Sequence, residues 1–242
     1  MSCYGPLAQW YDQLTGDVPY PDFADFYEAE FHRDGGEFRL LLDLCCGTGT
    51  LTRIMAERGY EMIAVDSSVE MLMQAREKAA GLAVPPLFLC QDAAELDLYG
   101  TVDAAYCSLD GMNYLPPETL PELFGKLRLF IRPGGLFIFD LRSPMWLRSM
   151  DGQIYVDEQE EVLCLWRADL DEENALVCYG MDIFSAEGRL WRRESEEHTE
   201  YIYEFQALKA ALEKEGFKDI LLCEHAPQTE LGRQFIRAKR GE

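Results

Sequence analysis

The stretch Leu41-Leu42-Asp43-Leu44-Cys45-Cys46-Gly47-Thr48-Gly49-Thr50-Leu51-Thr52 decides the fold. An apolar run carrying one acid gives way, across a Gly-Thr-Gly turn, to the start of a helical pattern. Glycine lets a backbone approach a ligand closely, and the free N–H groups of a helix N-terminus favour an anion. The dinucleotide fingerprint G-x-G-x-x-G is only partly met, because Thr52 stands where the third glycine belongs. Asp66 closes the next apolar run, where an acid accepts hydrogen bonds from a ribose diol. These features alone suit nicotinamide cofactors and other adenosine ligands about equally.

Asp43 separates the two. A carboxylate at the end of the first strand repels a pyrophosphate and welcomes an ammonium. The ligand that fits is an adenosine bearing an amino and a carboxylate group, as S-adenosylmethionine does.

From Phe38 to Leu141 apolar runs alternate with helical segments: 38–45, 61–67, 86–92, 102–109 and 135–141 against Thr50–Arg58, Val69–Ala80 and Pro117–Ile131. Continuous apolar strands alternating with helices predict a parallel sheet covered on both faces. Pro116-Pro117 opens the third helix and Pro133-Gly134-Gly135 closes it. Beyond Leu141 the pattern becomes that of antiparallel strands, with turns at Asp171–Asn174 and Glu187-Gly188. A helix over Glu204–Glu215, stopped by Gly216, and two final strands complete the chain. The predicted fold class is α/β: a Rossmann-like, doubly wound, mostly parallel sheet with an antiparallel last strand. The domain reading is an N-terminal helical lid over 1–37, a cofactor-binding domain over 38–141 and 204–242, and an inserted antiparallel flap over 142–203.

The chain has 242 residues and a formal charge of −22. That field disfavours nucleic acid, whose binding rests on Lys and Arg, and Arg192-Arg193 and Lys239-Arg240 are too short to offset it. No apolar run reaches the roughly 18 residues of a membrane span, and the N-terminus lacks a basic start and apolar h-region. A cytoplasmic protein without membrane contact is expected. The eight cysteines, Cys3 included, read as reduced core residues. With no C-x-x-C pair and three histidines, no metal site is expected.

The opening stretch resembles motif I of the class I S-adenosylmethionine-dependent methyltransferases. Ala64–Leu72 resembles their second motif, Cys90–Leu96 their third and Arg132–Leu141 their strand-five signature. The layout is similar to that of glycine and amino-sugar N-methyltransferases. The resemblance implies S-adenosyl-L-methionine as cofactor. It places Gly47, Thr48 and Gly49 against the methionine moiety, Asp43 near its amino group and Asp66 on the ribose with Ser67 beside it. Met71 flanks the adenine, Asp92 accepts from the adenine amino group, and the Ala93 N–H meets a ring nitrogen. Cys45 packs at the strand end, Ser108 lies at the exit of the fourth strand, and Tyr11 and Tyr20 close over the cofactor as part of the lid.

Methyl transfer asks the enzyme to hold a nucleophile in line with the methyl and to keep water away. Asp110, Asn113 and Tyr114, after the fourth strand, are the candidates for the acceptor side. The Asn-Pro-Pro-aromatic motif of enzymes that methylate nucleic-acid amino groups is absent. Phe23 and Trp10 read equally as lid or core residues. His198 is a further candidate, although the family's His-Gln-Arg-Tyr run is replaced by His-Thr-Glu-Tyr, and a lone exposed histidine on a strand is the plainer reading. The expected function is methylation of a small molecule, an amine nitrogen first. RNA or protein methylation, nicotinamide-dependent oxidoreduction and silent cofactor binding are the rivals. The oligomeric state is left open, a homodimer included.

Overall fold

The protein is described by a computed structural model covering residues 4–242; Met1 to Cys3, and with them the expectation for Cys3, lie outside the described residues. Two short N-terminal helices, α1 (Tyr11–Leu14) and α2 (Tyr20–Asp34), precede β1 (Leu40–Leu44). The alternating region follows as α3 (Thr50–Glu57), β2 (Glu61–Asp66), α4 (Val69–Lys78), β3 (Leu87–Cys90), β4 (Val102–Cys107), α5 (Leu120–Phe130) and β5 (Ile131–Arg142). After α6 (Pro144–Ser149) come β6 (Ile154–Glu158), β7 (Val162–Asp171), β8 (Leu176–Glu187) and β9 (Leu190–Tyr201). Then α7 (Phe205–Lys214), β10 (Phe217–Leu222) and β11 (Arg233–Arg240) close the chain.

The main sheet has the order β10-β11-β5-β4-β1-β2-β3. β1 to β5 pair in parallel, and β11 runs antiparallel to both β5 and β10. The order reverses between β1 and β4, so a crevice opens beyond their carboxyl ends, where ligands of open α/β sheets bind. β6 to β9 form a separate antiparallel sheet of four strands.

Alternation along β1 sorts the two sides of the main sheet. Leu42 and Leu44 pack with Leu123, Phe124 and Leu127 of α5 and with Leu208 and Leu212 of α7. Leu41 faces the other way, toward Phe23, Tyr27 and Phe31 of α2 and Met55 of α3. Tyr27 is fully buried and stacks on Tyr106 of β4 with ring centroids 4.7 Å apart. α2 is thus a layer of the core, and Phe23 is a core residue. The periodicity of 20–34 alone gives no sign of which surface the helix covers. Leu7, at 2% exposure, and half-buried Trp10 pack instead on Val162, Cys164 and Met181 of the second sheet.

Asp103, at the entry to β4, ties three chain segments together. One carboxylate oxygen accepts the Arg39 and Leu40 N–H groups at 2.7 and 2.8 Å, and the other accepts Arg132 Nε at 2.7 Å. Burial pushes this carboxyl up, but those donors outweigh it and hold the group below its ordinary value. Such a group stabilises the fold above the unfolded pKa of about 3.9 and loses that contribution as pH falls through its lower folded value. Asp103→Ala should therefore lower the urea midpoint at pH 7, and the deficit should shrink as denaturation is repeated at successively lower pH below about 4.

Candidate active site

Two adjoining cavities open beyond the carboxyl ends of β1 and β4. The first, of about 380 Å³, is walled by the β1–α3 turn, the end of β2 and the N-terminal segment. The second, of about 470 Å³, lies between the β4 exit and the second sheet. Tyr4, Tyr11, Leu109 and Tyr114 line both.

In the first cavity the backbone at Gly47 is left-handed, with φ at 54°, and open space lies where its Cβ would stand. The Gly47 N–H donates to Asp66 at 2.8 Å, and the other Asp66 oxygen accepts the Ser68 N–H at 2.9 Å. This carboxylate binds the turn together, so its removal disturbs the unliganded fold as well as any ligand contact. Burial raises the Asp66 carboxyl above its ordinary value, against the pull of those N–H donors. Asp43 is buried, at 2% exposure, with one oxygen held by the Thr52 and Tyr106 hydroxyls. Burial pushes its carboxyl up to about 7 despite those two donors. Asp12 of α1 accepts the Thr48 hydroxyl at 2.7 Å and pairs with Lys78 at 2.5 Å, stitching the N-terminal segment to the turn.

Tyr11, Tyr20, Asp43, Cys45, Gly47, Thr48, Asp66, Ser67, Met71, Ala93, Ser108 and Tyr114 all line this cavity. Gly49 and Asp92 do not. A Cβ at Gly49 would stand 2.8 Å from that of Ala75, so this glycine serves the approach of α4 to the turn. Asp92 is exposed and spends one oxygen capping the Ala94 N–H. Asn113 is also withdrawn from both cavities: its amide spans the Tyr201 carbonyl and the Arg142 N–H at 2.9 Å each. Each of the three thus has a contact within the fold, a side-chain one at Gly49 and backbone ones at Asp92 and Asn113.

Asp110 does reach the second cavity, but as half of an ion network. Arg233 of β11, at 3% exposure, is bonded to both Asp110 and Asp140, and Arg142 stands 3.7 Å from Asp110. Burial would raise the Asp110 carboxyl; the two guanidinium groups outweigh it and hold it down. His198 is buried at 1% exposure, which corrects the exposed position expected of it. Its Nε2 lies 3.0 Å from Glu196, whose two oxygens also accept the Leu7 and Tyr4 N–H groups. His198 therefore lies behind the wall, packed edge-on against Tyr4 and Tyr114.

Sequence reasoning passed over Glu200, Tyr179, Trp166, Arg142 and Arg233, all of which line the second cavity. One signal was present. Glu196, His198 and Glu200 alternate along a strand whose buried face they occupy, and a polar buried face needs a reason.

The strand-order reversal, the open turn at Gly47 and the acids near the ends of β1 and β2 together form the ligand crevice of an open α/β sheet. Residues 41–135 match the methyltransferase domain family. A putative methyltransferase of Bacillus subtilis is 28% identical over 248 residues, 99% of this chain and 98% of that one. An S-adenosylmethionine-dependent methyltransferase structure from Clostridium acetobutylicum superposes with a TM-score of 0.85 at 28% identity, with 100% of both chains covered. A sugar N-methyltransferase from Streptoalloteichus shares the fold at 21% identity and a TM-score of 0.83, with 100% of this chain and 97% of that one covered. The chain is a class I S-adenosylmethionine-dependent methyltransferase. Among the described residues, no helix is long and apolar enough to cross a membrane.

A carboxyl raised by burial destabilises the ionised folded state. As pH rises from about 4 to about 7, unliganded protein should lose the stability that Asp43 withholds when it ionises. Asp43→Asn should melt above wild type at pH 8 and level with it near pH 4, by scanning calorimetry without ligand. A lower melting temperature at pH 8 would contradict this reading of the buried acid.

Proposed function

We propose that the protein methylates an amine nitrogen of a small molecule, with the donor in the first cavity and the acceptor in the second. The N-terminal segment and the antiparallel sheet would act as lid and flap around the acceptor. One observation carries the reading: the two cavities share a wall of three tyrosines and Leu109, and the second is rich in aromatic rings and acids. Its carboxylates are Asp110, Asp157 and Glu200, and its cations are Arg142 and Arg233. Arg233 is already neutralised by Asp110 and by Asp140 behind it. Arg142 lies over the Trp146 ring at 4.3 Å. Asp157 accepts an indole N–H, that of Trp166, at 3.2 Å and, among the described residues, pairs with no cation. An acidic, aromatic-walled cavity favours a cation over an anion.

The residues present fit the donor. Asp43 suits its ammonium, the open turn at Gly47 its methionine chain, Asp66 its ribose, and Met71 with Ala93 the faces of its adenine. When bound, S-adenosylmethionine supplies a methyl group activated on a sulfonium. The chain's own task is then to orient the acceptor nitrogen and exclude water. Tyr4, Tyr11 and Tyr114 are half-buried, and loss of solvent around their hydroxyls raises each phenol well above its ordinary value, so all three stand as neutral rings at the junction of the cavities.

A panel of primary amines, carboxylates and alcohols, scored by S-adenosylhomocysteine release, tests the reading. Amines should be turned over, with subsaturating rates rising with pH as free amine and its base become available. Turnover confined to carboxylates or alcohols would refute it.

A further inference from the structure

The second cavity holds a buried carboxylic acid that the fold satisfies poorly. Glu200, on β9, is at 6% exposure and lines the cavity. Among the described residues its side chain accepts one hydrogen bond, a long one from the Tyr179 hydroxyl of β8 at 3.5 Å. The other buried acids near it are spent on structure: Asp140 on two N–H groups and Arg233, Asp110 on Arg233, Glu196 on two N–H groups and His198. A buried carboxyl so poorly satisfied by its own protein is costly, and such groups mark binding sites.

We propose that Glu200 is the acceptor-side base: it receives the ammonium of a cationic acceptor and takes its proton before methyl transfer. The proposal rests on the amine reading above and adds the residue. In the step, one N–H bond of the ammonium breaks, its electron pair stays on nitrogen, and the proton passes to a Glu200 oxygen. The neutral nitrogen then carries the lone pair that methylation consumes. Tyr4 and Tyr114 on one side and Tyr179 and Trp166 on the other supply ring faces for the cation.

The electrostatics agree with this geometry. Burial, then the charge of Asp110, pushes the Glu200 carboxyl up to about 8, while Arg142 of β5, Arg233 of β11 and the Tyr179 hydroxyl pull it back. Tyr4 and Tyr114 face it as neutral phenols. A carboxylate at its ordinary value is a poor base for an alkylammonium of pKa about 10.4. One raised to about 8 is far better matched, as efficient proton transfer requires.

Benzylammonium binding to the S-adenosylhomocysteine complex tests the assignment without turnover. Calorimetry in two buffers of different ionisation enthalpy should find close to one proton released per cation bound at pH 6.5, where Glu200 is protonated beforehand, and a release that falls toward zero as pH rises through about 8. Glu200→Gln should bind benzylammonium at least tenfold more weakly and release no proton, with unchanged S-adenosylhomocysteine affinity as the check that it folds. On an amine that the panel finds to be a substrate, kcat should fall roughly 100-fold or more. The acid limb of kcat/KM near pH 8 should also vanish, leaving a rate that rises to the pKa of the amine itself. Wild type failing to bind benzylammonium would overturn the cation site. Amine turnover with binding, proton release and pH profile unchanged in Glu200→Gln would overturn the role of Glu200 alone. Turnover of carboxylates or alcohols only would bring down the amine reading beneath it.

Discussion

The Asp140 carboxylate, with Arg233 bonded to it, is the interaction on which the site depends. Asp140, near the end of β5, is fully buried and accepts the Leu109 and Asp110 N–H groups at 2.8 and 3.1 Å. Both residues sit in left-handed backbone, at φ 56° and 59°, a conformation non-glycine residues adopt only when their surroundings impose it. Arg233 imposes the rest by reaching from β11 to Asp140 and Asp110 together. A buried guanidinium between two carboxylates is well compensated, whereas breaking such a set leaves a charge stranded at about 3–5 kcal/mol. The antiparallel last strand is therefore part of the site. It carries the cation that shapes the β4 exit, and the β4 exit is where the two cavities meet.

A second set of bonds closes the cavities from outside. Glu196 takes the Tyr4 and Leu7 N–H groups, Asp12 takes the Thr48 hydroxyl and Lys78, and Ser68 donates to the Tyr4 carbonyl at 3.3 Å. The N-terminal segment is thereby tied both to the second sheet and to the cofactor-side turns. Burial raises the Glu196 carboxyl, but His198 and the two N–H groups outweigh it and keep it below its ordinary value, as a clamp on backbone donors requires. The contrast with Glu200, two positions on from His198 on the same strand face, is one of satisfaction. Glu196 takes two N–H groups and faces His198, whereas Glu200 has, among the described residues, a single long hydrogen bond from Tyr179.

The strands and helices of the main sheet were legible in sequence because they rest on local pattern. Apolar runs at strand length, a Gly-Thr-Gly turn before a helix and Pro-Pro before another are short-range signals, and each produced the element expected. The turns at Asp171–Asn174 and Glu187-Gly188 were legible for the same reason, with Asp171 accepting the Asn174 N–H and Gly188 at φ 64°. Many walls of the first cavity come from residues that the sequence singles out, since they are the loops that these elements must place beyond the strand ends.

What sequence could not decide was the partner of each polar side chain. Gly49 meets Ala75, one Asp92 oxygen takes the Ala94 N–H, and the Asn113 amide spans the Tyr201 and Arg142 backbone. Asp110 and Arg233 are 123 residues apart and bear no local mark of each other. The sequence by itself determined the strand–turn–helix frame, because hydrophobic period and turn chemistry act over a few residues. Only the tertiary structure decided which acids are bound and which remain available, because hydrogen bonds and ion pairs are settled by distances that the chain creates when it folds.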